Sequence, residues 1–352
     1  MTRSTLHQPP PGWPPPAALA DFVPRGPVVS LYLDTAGVAE DAAEQVRLLW
    51  KGLRSRLSDD GAPEAALEAL DTCVERAHPG AMLAVFATDA GLRWVQHLPW
   101  HHGDSVAMVG KLPSLVPLLT ARQREIPFVV VATDRLGADL LAVVPDEGDT
   151  RRTVEGEELH VTRSAPGGWS QRRFQQRAEN RWEANAGEVA DAVTRLADET
   201  GAQLVVTTGD VRAVQFLRAA LPPRVNSLLV EVQGDYSTVD NVTERAHVLA
   251  AEIAVRQTEL VLTDYARELS QAGNACAGVG PVLTALSAGQ AATVLLDPTR
   301  THGQLASLAE QAPLDDVLIQ AAAATDADVW IVPAGAPQLD DTGVGALLRY
   351  TI

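Results

Sequence analysis

The sequence predicts an α/β protein divided into three layered domains, and three observations carry that prediction. Short β-branched runs bounded by Gly, Pro or Asp alternate with amphipathic helical stretches along most of the chain. At 352 residues the chain is long enough for more than one hydrophobic core. Its composition, 46% hydrophobic and 21% charged, is globular rather than disordered. Boundaries are expected at 1–24 (a proline-rich arm), 25–126, 127–240 and 241–352.

Pro9–Pro11 and Pro14–Pro16 rule out a helix in the arm and favour an extended chain. Val28–Asp34 reads as the first strand, followed by helices over about 39–58 and 63–77 that are separated by Asp59–Pro63. Val46, Leu49, Trp50, Leu53 and Leu57 form the apolar stripe of the first helix. Arg47, Lys51 and Arg54 share another face, solvated or in contact with phosphate. Met82–Ala87 and Leu92–Leu98 form a hairpin turning at Asp89-Ala90-Gly91, and a short helix near Ser114–Arg124 closes the domain. Phe128–Thr133 and Ala138–Val144 flank the turn Asp134–Gly137, and Leu159–Val161 is a short third strand. A helix from about Ser170 to Thr200 stops at Gly201, with Val189, Ala192, Val193 and Leu196 on its apolar side. Strands Leu204–Thr208 and Leu228–Val232 bracket a helix near Val211–Ala220. The last domain begins with a helix over about Val242–Ser270. Helix Pro281–Ala288, strand Ala292–Leu296, helix Leu314–Thr325, strand Val329–Val332 and a glycine-bearing end, Gly343–Tyr350, follow.

Charge singles out one segment. From Arg163 to Trp182 there are five arginines and one acid, Glu179, so this stretch is +4 in a chain of −17. A cationic island on an acidic protein points to an anionic partner, and the overall balance excludes general coating of nucleic acid. Arg173, Arg177 and Arg181 repeat every four residues and line one helix face. Pro166-Gly167-Gly168 ahead of them can approach a surface closely, but it lacks the lysine and hydroxyl residue of a phosphate loop. The histidines of His97–Asp104 are interrupted by Pro99 and have no second ligand cluster, so strand-end surface histidines fit better than a metal site. Asp34 and Asp210 suit turn and cap roles. Cys73 and Cys276 are far apart, which gives no disulfide framework and no zinc ribbon. Neither a bilayer-spanning apolar run nor a secretory leader is read in the sequence, which leads to a cytoplasmic expectation with no membrane partner, cofactor or metal.

Gly167-Gly168-Trp169-Ser170-Gln171-Arg172-Arg173-Phe174 resembles the Gly-Gly-Gln-Ser loop and Arg-Phe pair that open a long helix in archaeal and eukaryotic class-I peptide-chain release factors. Val344–Tyr350 looks like the final strand of that family's third domain. Val29–Asp34 with Arg47–Leu57 is similar to its bacterial release-factor-like branch, which includes the Balon-type ribosome hibernation factors. The resemblance covers about residues 25–352. It implies an α/β N-domain, a ribonuclease-H-like middle domain and an L7Ae-like C-domain. It also implies binding in the ribosomal A site with the glycine loop near the peptidyl-transferase centre. Gly167, Gly168, Trp169, Ser170, Gln171, Arg172, Arg173, Arg177 and Arg181 would then form the RNA-binding set. A translational GTPase such as elongation factor Tu would be a further partner.

Two departures bear on activity. Trp169 stands where the family has its hydrolytic glutamine, and the first domain lacks the Asn-Ile-Lys-Ser stretch of stop-codon readers. The expected function is therefore a non-catalytic ribosome-binding factor acting in hibernation, stress or rescue, with no catalytic residue. A hydrolase or nuclease acting on peptidyl-tRNA or tRNA through Gln171, and a stress-associated scaffold off the ribosome, stay open as alternatives.

Overall fold

A computed structural model describes residues 26–35, 42–77, 82–98, 104–145, 149–155, 168–233, 238–301 and 312–350; of Ala42 and 168–179 it describes the backbone alone. The proline-rich arm and the expected strand Leu159–Val161 lie outside these residues. The chain divides into two compact units, Met1–Gln123 together with Val255–Ile352, and Arg124–Ala254.

In the first unit, β1 (Val28–Asp34) pairs antiparallel with β2 (Met82–Thr88) and β4 (Val106–Gly110), and β3 (Gly91–Leu98) pairs with β2. The sheet order is β3-β2-β1-β4. Side chains alternate across it. Val29, Leu31 and Leu33 meet Trp50, Leu53 and Leu57 of α1 (Ala42–Asp59) and Leu67 and Leu70 of α2 (Glu64–Glu75). On the other face, Tyr32, Ala84 and Phe86 meet Leu118 and Leu119 of α3 (Val116–Arg124). The α1 stripe needs one correction: Leu49 is exposed, because the buried row Trp50, Leu53, Leu57 leaves it to one side. Arg54, read as solvated or phosphate-facing, instead bonds Asp71 and Glu64.

The second unit is a sandwich of three layers. β5 (Phe128–Thr133) pairs antiparallel with β6 (Gly137–Val143) and parallel with β8 (Leu204–Gly209). β7 (Thr150–Glu155) and β9 (Leu229–Glu231) form the edges, in the order β7-β6-β5-β8-β9. Val129, Val131 and Val205 face α4 (Gly168–Thr200) and α5 (Val211–Ala220), near a short α6 (Pro223–Asn226). Phe128, Val130, Leu204 and Val206 face Val242, Ala246, Ala250 and Ala254 of α7 (Val239–Ser270).

The end of α7 belongs to the first unit. Val261, Leu262 and Tyr265 pack on Leu295 and Trp330 of a mixed sheet ordered β10-β13-β11-β12. Its strands are β10 (Ala275–Ala277), β11 (Ala291–Leu296), β12 (Asp328–Ile331) and β13 (Val344–Leu348). The opposite face, with α8 (Val279–Ser287) and α10 (Leu314–Ala324), enters the same apolar cluster as Tyr32, Phe86 and Leu118; α9 (Pro298–Thr301) follows β11. β4, β7 and β10 were not expected from the sequence.

The Gln123 side chain helps to join the two parts of this unit. The amide of Gln123, 8% exposed, donates to the Ile331 carbonyl (2.9 Å) and Thr258 Oγ1 (3.2 Å) and accepts from the Ile331 N–H (2.9 Å). It thereby satisfies both backbone groups of Ile331 on the edge strand β12, as a neighbouring strand would. Gln123→Leu keeps the bulk but leaves those groups buried without a partner. It is expected to cost about 2–4 kcal/mol, measured as a drop in thermal unfolding temperature; an unchanged transition would show that the amide is dispensable.

Candidate nucleic-acid interface

The helix α4 has two chemically different halves. From Ala186 onward it is an ordinary packing helix, with Val189, Val193, Leu196 and Ala197 buried against the sheet. Before that the sequence is polar and arginine-rich. Helical rise puts Gly168 about 25 Å along the axis from Asn185. Gly168 opens the helix, and Trp169, Ser170, Gln171, Arg172, Arg173 and Arg177 follow on its first turns by backbone. Their side chains, and Gly167 entirely, lie outside the described residues. Arg181 is half-buried.

A compact polar hub holds the helix where its two halves meet. The guanidinium of Arg135, at the β5–β6 turn, lies 4.8 Å from the centre of the Trp182 ring, a cation–π geometry. The same guanidinium bonds Asp210 at 3.0 Å. The Arg135 carbonyl accepts from the Asn185 amide at 3.1 Å, one turn after Arg181. Asp210 caps α5, accepting from the N–H groups of Arg212 and Ala213. The bond from Arg135, with help from those amides, holds the Asp210 carboxyl below its usual range. Asp134 fixes the turn itself, accepting from the N–H groups of Leu136 (2.7 Å) and Gly137 (2.9 Å).

Two glycines let these backbones come together. A Cβ at Gly137 would lie 1.9 Å from the Val154 carbonyl oxygen. One at Gly209, where φ is +129°, would lie 1.8 Å from that of Thr133. Elsewhere in the unit, cations are matched by acids: Arg151 with Asp240, Arg152 with Glu199 and Arg224 with Asp198.

Sequence reading found the arginine run, the α4 stop at Gly201 (φ +62°) and the cap role of Asp210. It missed Arg135 as an anchor. The turn signal was visible, but its partners stand 47 and 75 residues away. Most of the histidine stretch, residues 99–103, lies outside the described residues. Among those described, no group of three or more His, Cys, Asp or Glu could hold a metal, and no helix is long and apolar enough to cross a membrane.

The second unit is thus a sheet covered by helices on both faces, and the first half of one of those helices, α4, is rich in arginine. Residues 127–271 match the profile of bacterial archaeo-eukaryotic release factor family 2. That span begins at the second unit and ends with α7, so it contains the hub and the arginine helix. Over 357 aligned positions the chain is 27% identical to the Mycobacterium tuberculosis proteins MT2704 (strain CDC 1551 / Oshkosh) and Rv2629 (strain H37Rv), covering 93% of this chain and 94% of each relative. Among solved structures, an archaeal translation termination factor, aRF1, is 17% identical with a TM-score of 0.25, over 92% of each chain. Dom34 of S. cerevisiae, a translation termination-like factor interacting with Hbs1, is 10% identical with a TM-score of 0.44, over 77% of this chain and 80% of that one. Scores this low lend no weight to details of shape; the α/β layering rests on the strands and helices themselves.

The hub predicts unequal costs. Arg135→Ala is expected to cost about 1 kcal/mol, because its ion pair is half exposed and its ring contact sits at the surface. Gly209→Ala forces backbones apart and is expected to cost more than about 4 kcal/mol. Thermal unfolding of both variants checks the order, and equal losses would contradict it.

Proposed function

We propose that this protein is a non-catalytic ribosome-binding factor that enters the A site and points its Gly167–Gly168 tip at the peptidyl-transferase centre, in hibernation, stress or rescue. The observation that carries this reading is the release-factor match over residues 127–271, the segment that also holds the chain's cationic island. Arg172, Arg173, Arg177 and Arg181 contact ribosomal RNA phosphates, which fix position and orientation. Trp169 supplies a flat ring for stacking on an unpaired base. The acidic remainder of the chain repels RNA, so binding depends on this one helix. Residues 241–352 carry the contact with a translational GTPase such as elongation factor Tu.

The absence of catalysis in this reading follows from side-chain chemistry. Where the resembled factors have a glutamine, Trp169 has an indole whose single N–H donates and cannot accept. Activating a water for attack needs a group that accepts its proton, and indole has no acceptor.

Co-sedimentation with bacterial ribosomes tests the reading. Wild type is expected to bind in a salt-sensitive manner and Arg172→Glu/Arg173→Glu/Arg177→Glu to lose binding. Trp169→Ala is expected to weaken binding by about 1–3 kcal/mol, roughly 5- to 150-fold in Kd. Absence of binding at low salt, or full binding by the triple variant, would overturn it. Release of peptide from ribosome-bound peptidyl-tRNA that disappears in Gln171→Ala would identify a hydrolase instead.

A further inference from the structure

The first turn of α10 buries two adjacent acids, Asp315 (4% exposed) and Asp316 (5% exposed). Pro313, at the cap position, provides no side-chain acceptor, and Asp315 Oδ1 takes the Asp316 N–H at 3.1 Å. The Asp316 carboxyl accepts the backbone N–H of Leu115, whereas its Oδ1 is buried with no hydrogen-bond partner among the described residues. Leu115 precedes α3, in the N-terminal part of the first unit, and α10 lies in the C-terminal part. Tyr32, also buried there, donates to the Ser114 carbonyl at 2.7 Å. Leu115, Leu118, Leu314 and Leu318 belong to the apolar cluster of this part of the unit. A carboxylate with an orphan oxygen in such a seam is costly, and a carboxylic acid is much less so.

We propose that this seam is a proton-linked joint: Asp316 sits in it as a neutral acid, and loss of its proton loosens the C-terminal part of the unit from Leu115 and Tyr32. Burial is the main reason the proton is held, and the Asp315 carboxyl beside it adds to the effect; the Leu115 amide opposes both. Together they push Asp316 up to about 8. Of the groups facing it, Asp315 is on its own helix and Tyr32 is on β1. Burial pushes the Tyr32 phenol far above its ordinary value, so it stays neutral in the same range.

The direction of the pH dependence follows. Between the ordinary carboxyl value and about 8, the folded protein holds a proton on Asp316 that the unfolded chain has released. Its contribution is complete below the ordinary value and is lost as pH rises toward 8. Acidification of a neutral solution tightens the joint, and mild alkali weakens it. This linkage needs no ribosome and stands apart from the proposed function.

Thermal unfolding of the full chain between about pH 6 and pH 9 tests the proposal. The wild-type Tm is expected to fall as pH rises toward 8, and Asp316→Asn to remove most of that fall and to be the more stable protein at the alkaline end. Parallel profiles for the two proteins would overturn the proposal. Should Asp316→Asn fail to fold, Asp315→Asn decides: removing the neighbouring negative charge moves the fall to lower pH, whereas an unmoved profile refutes the linkage.

Discussion

Val129 and Val131 on one side of β5, and Phe128 and Val130 on the other, are all buried, and this double burial is the constraint on which the candidate site depends. A strand with two apolar faces needs a helical layer on each. The stripe Val189, Val193, Leu196 of α4 supplies one layer; the small-residue stripe Val242, Ala246, Ala250, Ala254 of α7 supplies the other. The buried stripe of α4 lies in its second half, and the sequence puts its arginine run in the first. The Arg135 hub then fixes the point where packing ends, joining the turn after β5, the cap of α5 and Trp182.

What could be read from the sequence follows the same physics. β5 and β8 open on continuous apolar runs and were expected nearly to the residue, as were α4, α5 and α7 from their period and stops. β7, Thr-Arg-Arg-Thr-Val-Glu, is an exposed edge strand whose arginines pair with acids from other elements, so no alternation betrays it. β10 has three residues and takes its definition from β13 alone. Leu49 was misplaced because Leu48, Leu49 and Trp50 are consecutive apolar residues, and only the α2 side selects among them. The basic run was legible because charge is a local property. The partners of Arg135 were not, since only folding brings them near.

The first unit depends on a similar division between apolar bulk and a few placed polar groups. The cluster from Tyr32 and Phe86 to Val294 and Ile319 supplies cohesion without direction. Gln123 adds direction, because its amide can meet both backbone groups of Ile331 in one geometry only. Asp316 introduces a condition, since its burial favours one protonation state. Neither polar role was visible in the sequence: a glutamine at a helix end and an Asp-Asp pair in a first turn both read as solvated residues.

The central claim is that the helix opening at Gly168 is a ribosome-facing element anchored by its own domain. Structure determination of the protein bound to bacterial ribosomes tests it most directly. The account predicts Arg172, Arg173 and Arg177 against ribosomal RNA, with Gly167 and Gly168 at the peptidyl-transferase centre and the Arg135–Trp182–Asp210 hub intact. A bound protein whose arginine helix faces solvent, with RNA contacts made elsewhere, would contradict it.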